Sequence, residues 1–205
     1  LAGVHVNTDA IDNSAGVDSS DHEVNIKIAL SPLVQSEEMS LPERDELLES
    51  MTDEVAAKVL RHNYDQNVLI GNGRNQREVM VLVHQRLIRY LTERAGLDPR
   101  LEFLPDRKEW ERRVKAGTGL TSPEFSVLVA YSKLALKQEL IETELPDDPA
   151  LVDTLLGYFP QPLTERAREQ ILEHPLRREI VVNEIANAMV NRGGVSFAYR
   201  AQDET

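Results

Sequence analysis

Two short cap sequences constrain the fold of this chain more than any other feature. Ser40-Leu41-Pro42-Glu43 sets a hydroxyl N-cap, an early proline and a capping glutamate in the order that opens a helix, and Thr121-Ser122-Pro123-Glu124 repeats the device. Behind the first cap, Leu47, Met51, Val55 and Val59 recur every four residues, the stripe of a helix that faces a core. Val79, Val83, Leu87 and Leu91 make a second stripe of the same kind. Behind the second cap, Phe125, Val127, Leu128, Val129, Tyr131, Leu134 and Leu136 cover nearly all sides of one segment, which predicts a central, buried helix.

The punctuation between these segments is equally plain. Gly71-Asn72-Gly73 reads as a helix-ending turn, because no strand precedes it and no third glycine completes a dinucleotide fingerprint. Gly96, Asp98 and Pro99 break the second stripe, and Pro146 to Pro149 form a polar break before a shorter segment with Leu151, Leu155 and Leu156. Two last helices are expected over 166–173 and 178–190, parted by His174-Pro175. The second should stop at Gly193-Gly194, where glycine can turn left-handed. Val195 to Arg200 and Val4 to Val6 read as short strands. Residues 24–30 are ambiguous: Val24, Ile26, Ile28 and Leu30 alternate as in a strand, yet Ser20 and Glu23 have capping-box spacing. The expected fold is mainly α, a helical domain of about five or six helices preceded by a short α/β remnant.

Composition excludes several function classes. A net charge of -12 and a pI near 4.9 oppose binding to nucleic acid or to anionic membranes, both of which need clustered Lys and Arg. With no cysteine, disulfides, thiolate metal sites and cysteine nucleophiles are excluded, a composition that suits the cytoplasm. No apolar run has the length of a membrane span, and the N-terminus lacks the basic flank and apolar stretch of a signal peptide. It also begins without methionine, which suggests a fragment of a longer protein.

Four sets of polar residues invite chemistry. His5, His22, His62, His84 and His174 are scattered with no pair at the helical spacing of a zinc site, so no histidine metal centre is expected. His84 reads as a satisfied core or interface histidine and His174 as a cation at a helix end. Asp9, Asp12, Asp18, Asp21 and Glu23 could hold a hard cation, but the order of a calcium loop is absent. Arg112-Arg113 and Arg177-Arg178 read as solvated helix faces paired with neighbouring glutamates. The segment from Asn7 to Ile28 resists so plain a reading. It couples Asn, Ser and Gly directly to an apolar element: an asparagine can recognise a carboxamide, small Ala15 and Gly16 admit a flat ring, and a serine at a helix N-terminus can bind an anion.

That same segment, from Asn7-Thr8-Asp9 through Asn13-Ser14-Ala15-Gly16-Val17 to Ser20-Asp21-His22-Glu23-Val24-Asn25, resembles the signature of the large bacterial NAD-specific glutamate dehydrogenases. The likeness continues in Leu47 to Val55, Leu120 to Glu124, Tyr158-Phe159-Pro160, His174 to Ile180 and Asn191-Arg192-Gly193-Gly194. The first motif also resembles the Asn-Ala-Gly-Gly-Val segment of ordinary hexameric glutamate dehydrogenases, with Ser14 and Ala15 where that family has Ala and Gly. By position the resemblance makes Asn13 the contact to the nicotinamide carboxamide, beside Ala15 and Gly16 in the cofactor site, and Ser20 the anchor for the side-chain carboxylate of glutamate. It implies NAD as cofactor and L-glutamate and 2-oxoglutarate as substrate and product. It implies a helix from Ser20 to about Leu30, the end of a catalytic region over 1–36 and a helical C-terminal domain over 37–205. The family's catalytic lysine and aspartate and its glycine-rich turn are not found here and are expected upstream of Leu1. The isolated chain is therefore expected to be inactive, and its partners to be the remaining domains of the same polypeptide within a homo-oligomer. Two other readings stay open, a helical oligomerisation or regulatory module and an acidic cation-binding loop.

Overall fold

Both cap sequences act as expected in the computed structural model of the chain, which describes residues 6–203. Ser40 accepts from the Glu43 N–H, and the Glu43 carboxylate accepts from the Ser40 N–H at 2.7 Å. Thr121 and Glu124 repeat the arrangement, with the Thr121 N–H donating to Glu124 at 2.7 Å. In chain order the helices are α1 (Asp9–Asp12), α2 (Ser14–Gln35), α3 (Leu41–Ser50), α4 (Thr52–Gln76), α5 (Val81–Ala95), α6 (Arg107–Lys115), α7 (Ser122–Ile141), α8 (Val152–Tyr158), α9 (Gln161–Arg166), α10 (Arg168–Leu172), α11 (Arg177–Gly193) and α12 (Phe197–Asp203). The described residues contain no strand, so the chain is mainly α, and five of these helices, α2, α4, α5, α7 and α11, have fifteen or more residues.

Several expected elements differ, each for a packing reason. The strand at Val195–Arg200 is a turn leading into α12: Val195 and Ser196 are buried, and Tyr199 packs on Tyr90 with ring centroids 5.1 Å apart. The strand at Val4–Val6 falls largely outside the described residues. Gly71-Asn72-Gly73 does not end a helix; α4 runs through it to Gln76, and the absent side chain of Gly73 makes room for the Phe125 ring. In α5 the core stripe is Val81, His84, Leu87, Ile88 and Leu91, while Val79 precedes the helix and is exposed. The helix expected over 166–173 is the shorter α10, separated at Ala167 from α9, which ends at Arg166. Gly96 (φ +69) and Gly194 (φ +91) are the left-handed stops that the sequence announces.

The chain divides into two compact units, each built from segments far apart in sequence. The first comprises residues 1–13, 63–139 and 186–205. Its α7 is the most enclosed element, with Phe125, Val127, Leu128, Val129 and Leu136 all buried. Beside them in the sequence, Arg113 forms a two-pronged ion pair with Glu124 at 2.6 and 2.8 Å, each side chain only 13% exposed. Arg113 is therefore no solvated face, whereas Arg112 is exposed and its guanidinium bonds to Glu109.

The second unit comprises residues 14–62 and 140–185. Ile26, Leu30 and Leu33 of α2 join Met51, Leu155, Tyr158, Phe159, Leu163, Ile171 and Val181 in one apolar core. Arg177 and Arg178 also depart from expectation: both pair with Asp147, thirty residues earlier, and not with neighbouring glutamates. Arg178 further donates to the carbonyls of Ile141 (2.8 Å) and Thr143 (3.0 Å), which ties the start of α11 to the exit of α7.

Candidate functional site

The polar opening segment is organised helix by helix. In the first unit, Asp12 accepts from both the backbone and the side chain of Asn7 (2.9 Å each), and Asn63 donates to the Ile11 carbonyl at 3.0 Å. These bonds shape α1 and its C-cap, Asn13, whose N–H reaches the Asp9 carbonyl at 2.8 Å. The Asn13 side chain is exposed and makes no hydrogen bond among the described residues.

In the second unit, α2 begins at Ser14, so Ser20 lies in its second turn and not at its N-terminus. The Ser20/Glu23 capping box is not formed, because Glu23 pairs instead with Lys27 one turn on. The backbone N–H groups of a helix start are consequently not available at Ser20 for an anion. The strand reading of 24–30 falls with it: Ile26, Ala29, Leu30 and Leu33 form a helical inner face, and Gly16, Val17, Ser20, Val24 and Lys27 an exposed outer one. Ala15 is half-buried. The serines of this helix behave differently from one another. Ser19 and Ser31 turn their hydroxyls back onto carbonyls four residues earlier, at 2.7 and 2.8 Å. Ser20 is exposed and its hydroxyl meets no partner among the described residues.

The inner face of α2 carries a cluster that spacing in the sequence did not announce. Asp18 and His22 are one turn apart, and His62, forty residues on in α4, donates its Nδ1–H to Asp18 Oδ2 at 2.8 Å. His22 Nε2 stands 3.8 Å from Asp18 Oδ1. One donor atom from each of the three residues falls within 4.8 Å of the others. His22 is 0% exposed, stacks on Tyr158 with centroids 4.3 Å apart, and has no hydrogen-bond partner at either ring nitrogen. Leaving such a group unpaired costs about 1–3 kcal/mol per buried polar atom. Burial pushes the His22 pKa down to about 4, against the pull of the Asp18 carboxylate, so the ring is neutral at pH 7. Tyr158 is held by Asn25, which donates to its hydroxyl at 2.9 Å, and burial raises its pKa to about 12. The histidines that look scattered in the sequence thus include one pair, His22 and His62, that the fold brings together with Asp18; the only linear hint is the four-residue spacing of Asp18 and His22.

The other candidates disperse. The acidic residues do not assemble as a hard-cation loop, since Asp12, Asp18 and Glu23 each have a separate partner. His174 is buried and neutral, not a cation: Leu176 donates to its Nδ1 at 3.1 Å, so Nε2 carries the proton towards the Asn25 carbonyl at 3.2 Å. Burial lowers its pKa accordingly. His84 is a buried core histidine set edge-on to Phe125, but it is not fully satisfied, since its buried Nδ1 has no hydrogen-bond partner among the described residues.

Two family models match the chain. One, described as bacterial NAD-glutamate dehydrogenase, catalytic domain, matches residues 1–73, and the other, described as glutamate dehydrogenase, C-terminal, matches residues 117–205. Among its relatives, three proteins named NAD-specific glutamate dehydrogenase are 48% identical over 204 residues in Mycobacterium tuberculosis, 43% over 205 in Pseudomonas aeruginosa and 41% over 203 in Halomonas elongata. The matches cover 99–100% of this chain, while the chain spans 13% of each relative's length.

Proposed function

We propose a role for this chain from the premise that it belongs to the bacterial NAD-specific glutamate dehydrogenases, of whose length it spans 13%: it supplies a wall of the parent enzyme's active site. In that enzyme L-glutamate, NAD+ and water become 2-oxoglutarate, ammonia and NADH. NAD, when bound, accepts the hydride from the substrate α-carbon. The residues present fit that partner. The exposed carboxamide of Asn13 offers one acceptor and two donors, the pattern that pairs with a second carboxamide, and Gly16, three residues on, is exposed.

The observation that carries the reading is the Ser20 hydroxyl. It stands exposed on α2 with no partner among the described residues, while Ser19 and Ser31 are satisfied by their own helix. Such a hydroxyl donates to the side-chain carboxylate of glutamate without first breaking an internal bond. The helix itself, buried on its other face, keeps that donor in place. In this reading residues 1–36 end the catalytic region, residues 37–205 form the helical C-terminal domain, and the proton-transfer groups come from the remaining domains of the polypeptide. The isolated chain is then inactive, because proximity catalysis needs those groups.

The assay is steady-state kinetics of the parent enzyme. A charge-assisted hydrogen bond contributes about 1.5–3 kcal/mol, so Ser20→Ala should raise KM for glutamate roughly 10- to 150-fold and leave KM for NAD+ unchanged. Asn13→Ala should do the reverse. An unchanged glutamate KM in Ser20→Ala overturns the assignment.

A second reading, a helical module for assembly into a homo-oligomer or for regulation, draws on one feature of the first unit. Leu101 and Phe103, in one turn, are 75% and 88% exposed. Charged substitutions there that dissociate the parent enzyme, with kinetics of the released subunit intact, would favour that role. Among the described residues no helix is long and apolar enough to cross a membrane. A cytoplasmic setting is part of this proposal and is supported by the cysteine-free composition.

A further inference from the structure

The buried histidine of the second unit is more than a core residue. His22 is fully enclosed, neither ring nitrogen finds a hydrogen-bond partner, and the Asp18 and His62 side chains converge on it from one turn away on α2 and from α4. We propose that Asp18, His22 and His62 bind one divalent transition-metal ion, zinc(II) being the best match to two imidazoles and a carboxylate.

The donor set decides the class of ion. Calcium and magnesium take oxygen ligands, and this cluster offers oxygen from one residue only. Neutral imidazole is a ligand for zinc, copper, iron and nickel, and an Asp completes a three-residue set that leaves a coordination position open. The distances are compatible. Zinc bonds of about 2.0–2.2 Å bring the donor atoms of a shared ion within roughly 3–4 Å of one another. Here they lie within 4.8 Å, so a small rotation of the part-exposed Asp18 and His62 side chains closes the set. The second layer is already in place. Tyr158 stacks on the His22 ring and fixes its plane, and Asn25 holds the Tyr158 hydroxyl at 2.9 Å. Lys58, whose charge acts on His22, is engaged by the Gly157 carbonyl at 2.8 Å and by Glu54. Bound there, the ion joins α2 to α4 within the second unit, and so steadies the helix that carries Ser20.

The test uses the full 205-residue chain without a histidine tag, stripped with EDTA. Cobalt(II) should give one equivalent of visible ligand-field absorption, displaced by zinc(II), and zinc calorimetry should give a one-to-one stoichiometry with no heat from calcium or magnesium. Asp18→Asn and His62→Gln, both at part-exposed positions, should weaken zinc at least about tenfold while far-UV circular dichroism stays unchanged. His84→Gln should leave zinc binding as it is. Absence of the cobalt band overturns the site, and so does zinc binding that survives Asp18→Asn and His62→Gln, which would mark adventitious binding elsewhere on the chain.

Discussion

Gly71 and Gly73 sit two residues apart in the same helix, and substituting each by alanine should move stability in opposite directions. A Cβ at Gly71 meets nothing within 4 Å, so Gly71→Ala gains only the helix propensity of alanine, about 1 kcal/mol. A Cβ at Gly73 would lie 2.3, 2.5 and 2.7 Å from the Cζ, Cε1 and Cε2 atoms of Phe125. Ordinary carbon contacts are about 3.5–4.0 Å, so the ring must retreat by more than about 1 Å. It has little room, being 4% exposed and flanked by His84 at 5.6 Å. Overpacking of this kind costs about 1–3 kcal/mol. Since alanine gains the same propensity at both positions, the gap between the two variants measures the overpacking term alone. Urea unfolding followed by the fluorescence of Trp110, the single tryptophan and a buried member of the same unit, reads that gap directly. Phe125→Leu, which removes the ring, should narrow it. If Gly73→Ala proves as stable as Gly71→Ala, the close approach of the ring is not what keeps residue 73 a glycine.

Two further outcomes follow from buried charge in the first unit. Burial holds His84 at a pKa of about 4, below its unfolded value of 6.5, so the unfolded chain takes up its proton first as pH falls. Its contribution is present above pH 6.5 and lost between there and pH 4, about 3 kcal/mol in all. His84→Leu should flatten that stretch of the stability profile followed by Trp110, and an unchanged slope would falsify the assignment. Arg113→Ala strips a 13%-exposed carboxylate of its guanidinium and should cost about 3 kcal/mol, against less than about 1 for Arg112→Ala, whose side chain is 71% exposed. Equal urea midpoints for the two variants would contradict this ranking.

Legibility in the sequence followed the range of the interaction. The Ser40 and Thr121 caps and the Gly96 and Gly194 stops were readable because a capping bond or a left-handed turn involves residues a few positions apart. Residues 71–73 were misread because the reason for their glycine lies at Phe125, some fifty residues on. The end of the chain was misread for a similar reason: Gly193 leaves space for Phe197, whose Cγ would stand 2.8 Å from a Cβ there, and that packing outweighs a six-residue alternation. Within the candidate site, Asn13 and Ser20 could be named by resemblance, but the start of α2 at Ser14 could not, since Ser20 and Glu23 have the right spacing for a cap that Lys27 pre-empts. The meeting of His22 with His62 depends on α2 packing against α4 and has no local signature.

The discontinuous make-up of the two units bears on how the polypeptide is born. Residues 14–62 cannot complete their core until residues 140–185 have been synthesised, because Leu155, Phe159, Leu163 and Ile171 are part of it. During translation the inner face of α2, with Ile26, Leu30 and Leu33, therefore waits uncovered while nearly eighty intervening residues leave the ribosome. The first unit waits longer still, for its closing segment over 186–205. A nascent chain of this kind holds apolar helices open for the length of its own synthesis, the condition under which chaperones find a substrate.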